Sequence, residues 1–262
     1  MTGQRVAAAR SHAAPDAAPK PVLVVKFAED PAEMDDVFRL RHRLFVVGAG
    51  LAPPGSDGRE RDAYDAACDH LIVKDVATGV VAGCYRMLPG WRRGARGFYT
   101  ESEFDLEGFV PLAPETLELG RSCIHPDYRR GPAMGLLWNG MLAHFLGGFR
   151  YLIGCVSVKV SSVGELNEIF TMFHAEGAVT DRYGIRPLPS HRIEGVRVLP
   201  GVDTVAVRRR LPTLVKGYLR IGGEVVCEPV HDPLMRTCDF CMVLDRERMP
   251  DRLRCRAMRA TA

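Results

Sequence analysis

The stretch that most restricts the fold runs from residue 116 to residue 158. "TLELGRSCI" (116–124) has the apolar, branched character of a strand. A Pro- and Gly-punctuated turn follows. From Met134 the residues Met134, Leu137, Trp138, Met141, Leu142, Phe145, Leu146 and Phe149 fall at offsets 0, 3, 4, 7, 8, 11, 12 and 15, one apolar face of a helix. "YLIGCVSV" (151–158) is then another strand. Strand, helix and strand over so short a span predict a crossover within one sheet.

The flanking segments add antiparallel pieces to that sheet. "VLVVKF" (22–27) reads as a short strand, and "DPAEMDDVFRLRHRLFV" (30–46) as a helix with Pro31 in its first turn. "HLIVKDVATGVVAGCYRML" (70–88) is a hairpin turning around Ala77, Thr78 and Gly79. After Asp181 the periodicity predicts a strand near 202–208, a helix near 212–220, and strands near 224–230 and 238–244. The expected class is α+β: a mixed, mostly antiparallel twisted sheet flanked by helices, with a C-terminal extension. Residues 1–20, Ala- and Pro-rich without apolar period, read as a disordered leader; 21–245 as the folded domain; and 246–262 as a basic tail.

Composition narrows the setting. The chain has 262 residues, 47% of them hydrophobic, and no run long enough for a spanning helix. Only five of its 35 basic residues are lysine, which favours forked recognition of carboxylate or phosphate. Eight cysteines are scattered without the spacing of a secreted framework, so a reducing cytoplasm is the default. Cys227, His231, Cys238 and Cys241 are four potential zinc ligands. A strand over 238–244 would turn Cys238 and Cys241 to opposite faces, against a zinc site.

Two groups of polar residues stand out against apolar surroundings. The acids Glu60, Asp62, Asp65 and Asp69 precede the hairpin; they must face water or meet a positive group, and Arg86 lies inside an apolar strand where it needs an acid. Glu118, Gly120 and Ser122 share one strand face, with Arg121 on the other. A carboxylate held in mid-strand suits a general base, and Gly120 invites a bulge. The following turn, "YRRGPAM" (128–134), offers backbone N–H groups to a phosphate at a helix start.

These segments, in this order, resemble the acyltransferase branch of the GNAT superfamily that includes the ornithine-lipid N-acyltransferases, the N-acyl amino acid synthases and, more distantly, the acyl-homoserine lactone synthases. The resemblance rests on "LRHRLF" (40–45), "ERDAYDAACDHLIVKDVATGVVAGCYRML" (60–88), "FYTESEFDL" (98–106), "LELGRSC" (117–123), "DYRRGPAMGLLWNGM" (127–141), "YLIGCVS" (151–157) and "LPTLVKGYLRIGGEV" (211–225). Two stretches depart from it. The tryptophan that follows the first helix in the lactone branch is replaced by "VVGAGLAPPG", and "EPVHDPLMRTCD" stands where the family has "EPAWDPDFNTAD".

The resemblance implies an amide-forming N-acyltransferase. It would move a fatty or 3-hydroxy-fatty acyl group from an acyl carrier protein or coenzyme A thioester to the α-amine of an amino acid, ornithine foremost. Glu118 is implied as the general base with Asp65 in the catalytic set. Arg41, Phe45, Asp62, Asp69, Arg86, Arg121 and Ser122 are implied around the acceptor, and Arg129, Gly131, Ala133 and Met134 around the phosphopantetheine arm. No bound cofactor, metal or nucleic acid is implied; arginine-rich surfaces would meet an acidic carrier protein or the inner face of a membrane. Rival readings keep the fold with glycine, lysine, glutamine or tyrosine as acceptor, or make the chain a non-catalytic acyl-carrier-binding module.

Overall fold

The computed structural model describes residues 21–51, 57–252 and residue 254; the expected leader, and the expected tail beyond 252 except Arg254, lie outside the described residues. Ten strands and five α-helices are present among the described residues: β1 Leu23–Phe27, α1 Pro31–Arg41, β2 Asp69–Asp75, β3 Val81–Pro89, β4 Phe104–Asp105, β5 Thr116–Ile124, α2 Ala133–Gly148, β6 Tyr151–Val158, α3 Val163–Ala175, β7 Arg186–Pro187, α4 Thr204–Arg210, α5 Thr213–Arg220, β8 Glu224–Val225, β9 Val230–Asp232 and β10 Thr237–Asp245. The main sheet runs β1-β2-β3-β5-β6-β10-β8, with β9 also on β10, while β4 and β7 form a separate ribbon. The β5–β6 pair is parallel and is joined through α2, the predicted crossover. The other strand pairs are antiparallel.

Local chemistry explains the elements. Asp30 caps α1 by accepting the Glu33 amide at 2.7 Å, and the helix tightens no further but widens into a π-turn over His42–Val47. The Asp75–Val80 turn closes the hairpin, with Gly79 in the left-handed region at φ 75°. Strand alternation then sorts the core. Leu71 and Val73 face one side with Leu137, Met141 and Phe145 of α2, whereas Ile72 faces the other with Val37 and Leu40 of α1.

One predicted element is corrected. Residues 202–208 fold as the start of α4 and not as a strand. Asp203 caps that helix through the Ala206 amide at 3.0 Å, and Arg208 and Arg210 pair with Glu176 and Glu168 on or beside α3. A good cap and helix–helix ion pairs outweigh the β-branched Thr204, Val205 and Val207 that suggested a strand. The 224–230 strand also breaks into β8 and β9, with "VCEP" (226–229) between them.

Candidate active site

The sheet opens along its one parallel seam. β5 and β6 pair at Thr116–Tyr151, Leu117–Leu152 and Glu118–Ile153, and then part. Beyond that point β5 stays with β3 and β6 stays with β10. Gly154 sits where they separate; a Cβ there would lie 2.5 Å from the Leu119 carbonyl oxygen. The gap is a cavity of about 380 Å³, walled by Leu119 to Ser122 on one side and Gly154 to Ser157 on the other.

A bulge shapes the β5 wall. Cys84 pairs with Cys123 and Arg86 with Gly120, so Arg121 and Ser122 together oppose the single residue Tyr85. The bulge follows directly on Gly120, and Arg121 carries the left-handed backbone, at φ 49°. A non-glycine residue holds that conformation only where its surroundings demand it. Here the demand is electrostatic, because Arg121 Nε donates to Glu60 at 2.9 Å and Nη2 to Asp62 at 3.3 Å.

Those bonds belong to a closed ring of six charges. Arg41 bridges Glu60 and Asp65, Asp65 reaches Arg86, Arg86 holds Asp62 at 2.6 Å, Asp62 meets Arg121, and Arg121 returns to Glu60. Each guanidinium touches two carboxylates, and the three positive and three negative charges cancel. Arg41 is fully buried, and its two nitrogens on Asp65 stand at 2.7 and 3.3 Å. Burial works against the charge on Asp65, but Arg41 outweighs it and holds the carboxyl below its ordinary range.

This ring fixes where several of the expected site residues stand. Arg41, Asp62, Asp65 and Arg86 come together, paired with one another, and do not line the cavity. A buried carboxylate needs a cation, and the chain supplies its own arginines for the three acids in the ring. Asp65 is thereby an ion-pair partner of Arg41 and Arg86, set back from the cavity wall. Asp69 stands outside the ring and pairs with Arg92 on a partly exposed surface at 2.7 Å. Phe45, Arg121 and Ser122 do line the cavity.

Glu118, in mid-strand on β5, has a different set of partners. It is buried behind the cavity wall and is not among the lining residues. Its Oε1 accepts the Thr100 amide and the Thr100 hydroxyl, both at 2.7 Å, and its Oε2 accepts the Tyr99 amide at 2.8 Å. Burial pushes its pKa up, and the Thr100 and Tyr99 bonds pull against that shift. The carboxylate thus fastens the 98–106 segment to β5 and presents Tyr99, whose ring lies 4.7 Å beneath the Arg121 guanidinium.

The 129–134 turn is partly closed. The Gly131 amide, expected to be a phosphate donor, is taken by the Tyr128 carbonyl at 3.1 Å, and the Arg129 guanidinium reaches the Ile124 carbonyl at 3.3 Å. Pro132 precedes α2 without a side-chain cap, so the first-turn amides of Ala133 and Met134 are the donors that remain. The four possible zinc ligands do not gather among the described residues: Cys238 and Cys241 both lie on β10, as the strand reading expected.

Several cavity residues escaped sequence reasoning. Tyr85 and Tyr218 join hydroxyls at 2.9 Å on the cavity wall, and burial pushes the Tyr85 pKa up to about 12. Cys155, Asp232 and Asp239 line the opposite part, with Glu103 behind them. Their signal was present as acids in apolar surroundings, in "FYTESEFDL" and "CEPVHDPLMRTCDFC", but strands distant in sequence bring them together.

Comparison with known proteins places this geometry in a family. Residues 40–139 match the acetyltransferase (GNAT) domain. The chain is 31% identical to an L-ornithine N(alpha)-acyltransferase of Rhodobacter capsulatus over 88% of this chain and 92% of that protein. It is 30% identical to one from Brucella abortus, over 88% and 86% respectively. A solved N-acyl amino acid synthase from uncultured soil microbes superposes with a TM-score of 0.49 at 13% identity, covering 88% of this chain and 96% of that one.

Proposed function

We propose, because the chain belongs to the family of L-ornithine N(alpha)-acyltransferases and is an N-acyltransferase, that it acylates the α-amine of ornithine with a fatty or 3-hydroxy-fatty acyl group. The donor in this reading is an acyl carrier protein or coenzyme A thioester. The observation that carries it is the parting of β5 and β6 after Glu118 and Ile153, which opens a largely apolar-walled cavity in mid-sheet. An extended thioester arm can lie in that opening with its carbonyl against the Arg121–Ser122 bulge, where a backbone N–H can hold the developing oxyanion.

The reaction joins the α-nitrogen to the thioester carbon and breaks the carbon–sulfur bond; the amine's proton ends on the thiol. An amine with a reference pKa near 8 must first shed its extra proton. Tyr85 and Tyr218, kept protonated by burial, line the cavity and can hand a proton to the departing sulfur. Glu118 acts as a positioning residue that holds Tyr99 under Arg121. Arg129 and Arg130 are exposed before α2, and with the Ala133 and Met134 amides they suit the phosphate of a phosphopantetheine arm.

Residues 21–245 form the catalytic domain in this reading, and arginine-rich surfaces dock an acidic carrier protein near the inner face of the membrane. Among the described residues no helix is long and apolar enough to cross a membrane. The test is mass spectrometry of the products of purified protein with 3-hydroxyacyl carrier protein and a panel of amino acids. Acyl-ornithine as the dominant product supports the reading, and glycine, lysine, glutamine or tyrosine adducts in its place overturn the acceptor. Tight carrier binding without thioester consumption would make the chain a binding module.

A further inference from the structure

We propose that Glu103, Asp232 and Asp239 form a subsite at the cavity that takes the side-chain ammonium of a diamino acid and so leaves its α-amine to be acylated. The inference rests on the N-acyltransferase reading above and adds the basis of acceptor choice and regiochemistry.

The three acids come from distant parts of the chain. Glu103 lies just before β4, Asp232 ends β9 and Asp239 stands on β10. A Glu103 carboxylate oxygen, the Cys155 sulfur and an Asp239 oxygen all lie within 4.8 Å of one another. Asp232 and Asp239 line the same cavity as Gly120, Arg121 and Ser122. Asp232 and Asp239 thus share the opening with the bulge on which the thioester would rest, and Glu103 stands next to Asp239 without itself lining the wall.

Their hydrogen bonds come from neutral hydroxyl and amide donors. Asp239 accepts Thr237 Oγ1 at 2.8 Å and Ser157 Oγ at 3.0 Å, and Asp232 Oδ1 accepts the Leu234 and Met235 amides at 2.7 and 3.1 Å. Glu103 is 3% exposed, yet its Oε2 accepts no hydrogen bond. Among the described residues none of the three takes part in an ion pair. Arg121, the guanidinium that acts on both Glu103 and Asp239, is already committed to Glu60 and Asp62. Three buried acids without a cation are costly, and an alkylammonium brings one charge and three N–H donors.

The protonation states agree with that geometry. Burial, then Asp239 and Asp232, push Glu103 up to about 8, and burial pushes Asp239 up to about 6. An arriving ammonium would favour ionised Glu103 beside Asp239. Burial holds Cys155, beside Glu103 and Asp239, as a neutral thiol. Held as an ammonium, the side-chain nitrogen has no lone pair with which to attack. The α-nitrogen, once neutral, forms the bond to the thioester carbon; the carbon–sulfur bond breaks, and the proton lost from that nitrogen ends on the thiol.

The test compares kcat/KM for ornithine and for norvaline, which has the same carbon chain without the second amine, using the intact protein and one acyl carrier thioester. The expected result is a wild-type preference for ornithine of roughly tenfold to a hundredfold, with acylation at the α-nitrogen. In E103Q and D239N that ratio should fall toward one. Equal use of norvaline by the wild type overturns the subsite, as does a preference that survives in both substituted proteins. Loss of the preference on chelation with its return on adding zinc also overturns it, in favour of a metal site. Failure of the wild type to acylate any amine overturns the functional reading itself, a separate outcome. The wild-type comparison stands even where a substituted protein does not fold.

Discussion

Glu118 and Thr100 are joined twice, through the Thr100 amide and hydroxyl, each 2.7 Å from the same carboxylate oxygen. A residue clamped in this way holds a neighbouring segment in place, and Tyr99, which stacks under Arg121 of β5, rides on that segment. Glu118→Gln keeps one acceptor oxygen but sets an NH2 donor against an N–H of Tyr99 or Thr100. Unfolding in urea should show a loss of about 1–3 kcal/mol. Steady-state kinetics should show a raised acceptor KM, with the pH profile unmoved in shape. Loss of one limb of that profile, with KM unchanged, would return Glu118 to proton transfer.

The six-charge ring makes a sharper stability prediction. Arg86→Met leaves Asp62 and Asp65 facing each other with one guanidinium fewer between them, and Asp65 is almost fully buried. Breaking a buried set by removing one partner costs about 3–5 kcal/mol. The urea midpoint should fall accordingly. Added salt should restore little of it, because screening acts weakly on buried pairs. An Arg86→Met protein as stable as the wild type would show that the ring contributes nothing net to the fold.

The ring also shows how much was legible in the sequence. Hydrophobic period placed the crossover β5–α2–β6 and the β2–β3 hairpin, because both are local and each strand or helix carries its own apolar pattern. The need of Arg86 for an acid was equally legible, since burial cost follows from residue type. What the pattern could not give was the partner of each charge. Asp65 and Arg41 are 24 positions apart and meet in space. Asp69, four residues further along the acid run, goes to Arg92. The same limit hid Glu103 and Asp239, which the segment before β4 and strand β10 bring together beside Cys155 of β6. At 202–208, a cap and partners on α3 decided for a helix where β-branched residues had suggested a strand.

Glu103 predicts a pH dependence of stability in the absence of acceptor. Its pKa rises from an ordinary value of 4.5 to about 8 on folding, by burial and by Asp239 and Asp232. The folded state therefore binds a proton more tightly than the unfolded chain. The stability from this group is fully present below pH 4.5, declines as pH rises, and is gone once pH passes about 8. Asp239 acts in the same sense at lower pH, between 3.8 and about 6. Thermal melts from pH 5 to 8 should show the wild type losing stability, and Glu103→Gln, with nothing to titrate there, should show a flatter curve. A wild-type curve that rises over that interval and is unaffected by the substitution would contradict the buried, protonated Glu103.

Gly154 tests whether the parted strands are the thioester seat. An added Cβ would stand 2.5 Å from the Leu119 carbonyl, backbone against backbone, so the neighbour cannot swing aside as a flexible side chain would. Gly154→Ala must therefore push β5 and β6 further apart or tilt the β5 wall that ends in the Arg121 bulge. Overpacking of this kind costs about 1–3 kcal/mol. A shift of even about 1 Å at a site that aligns reacting atoms can reduce turnover by about a hundredfold. The expected outcome is a folded protein with a modest drop in melting temperature and a disproportionate loss of kcat/KM toward the acyl thioester. Unchanged thioester kinetics in a Gly154→Ala protein would place the acyl donor elsewhere than this seam.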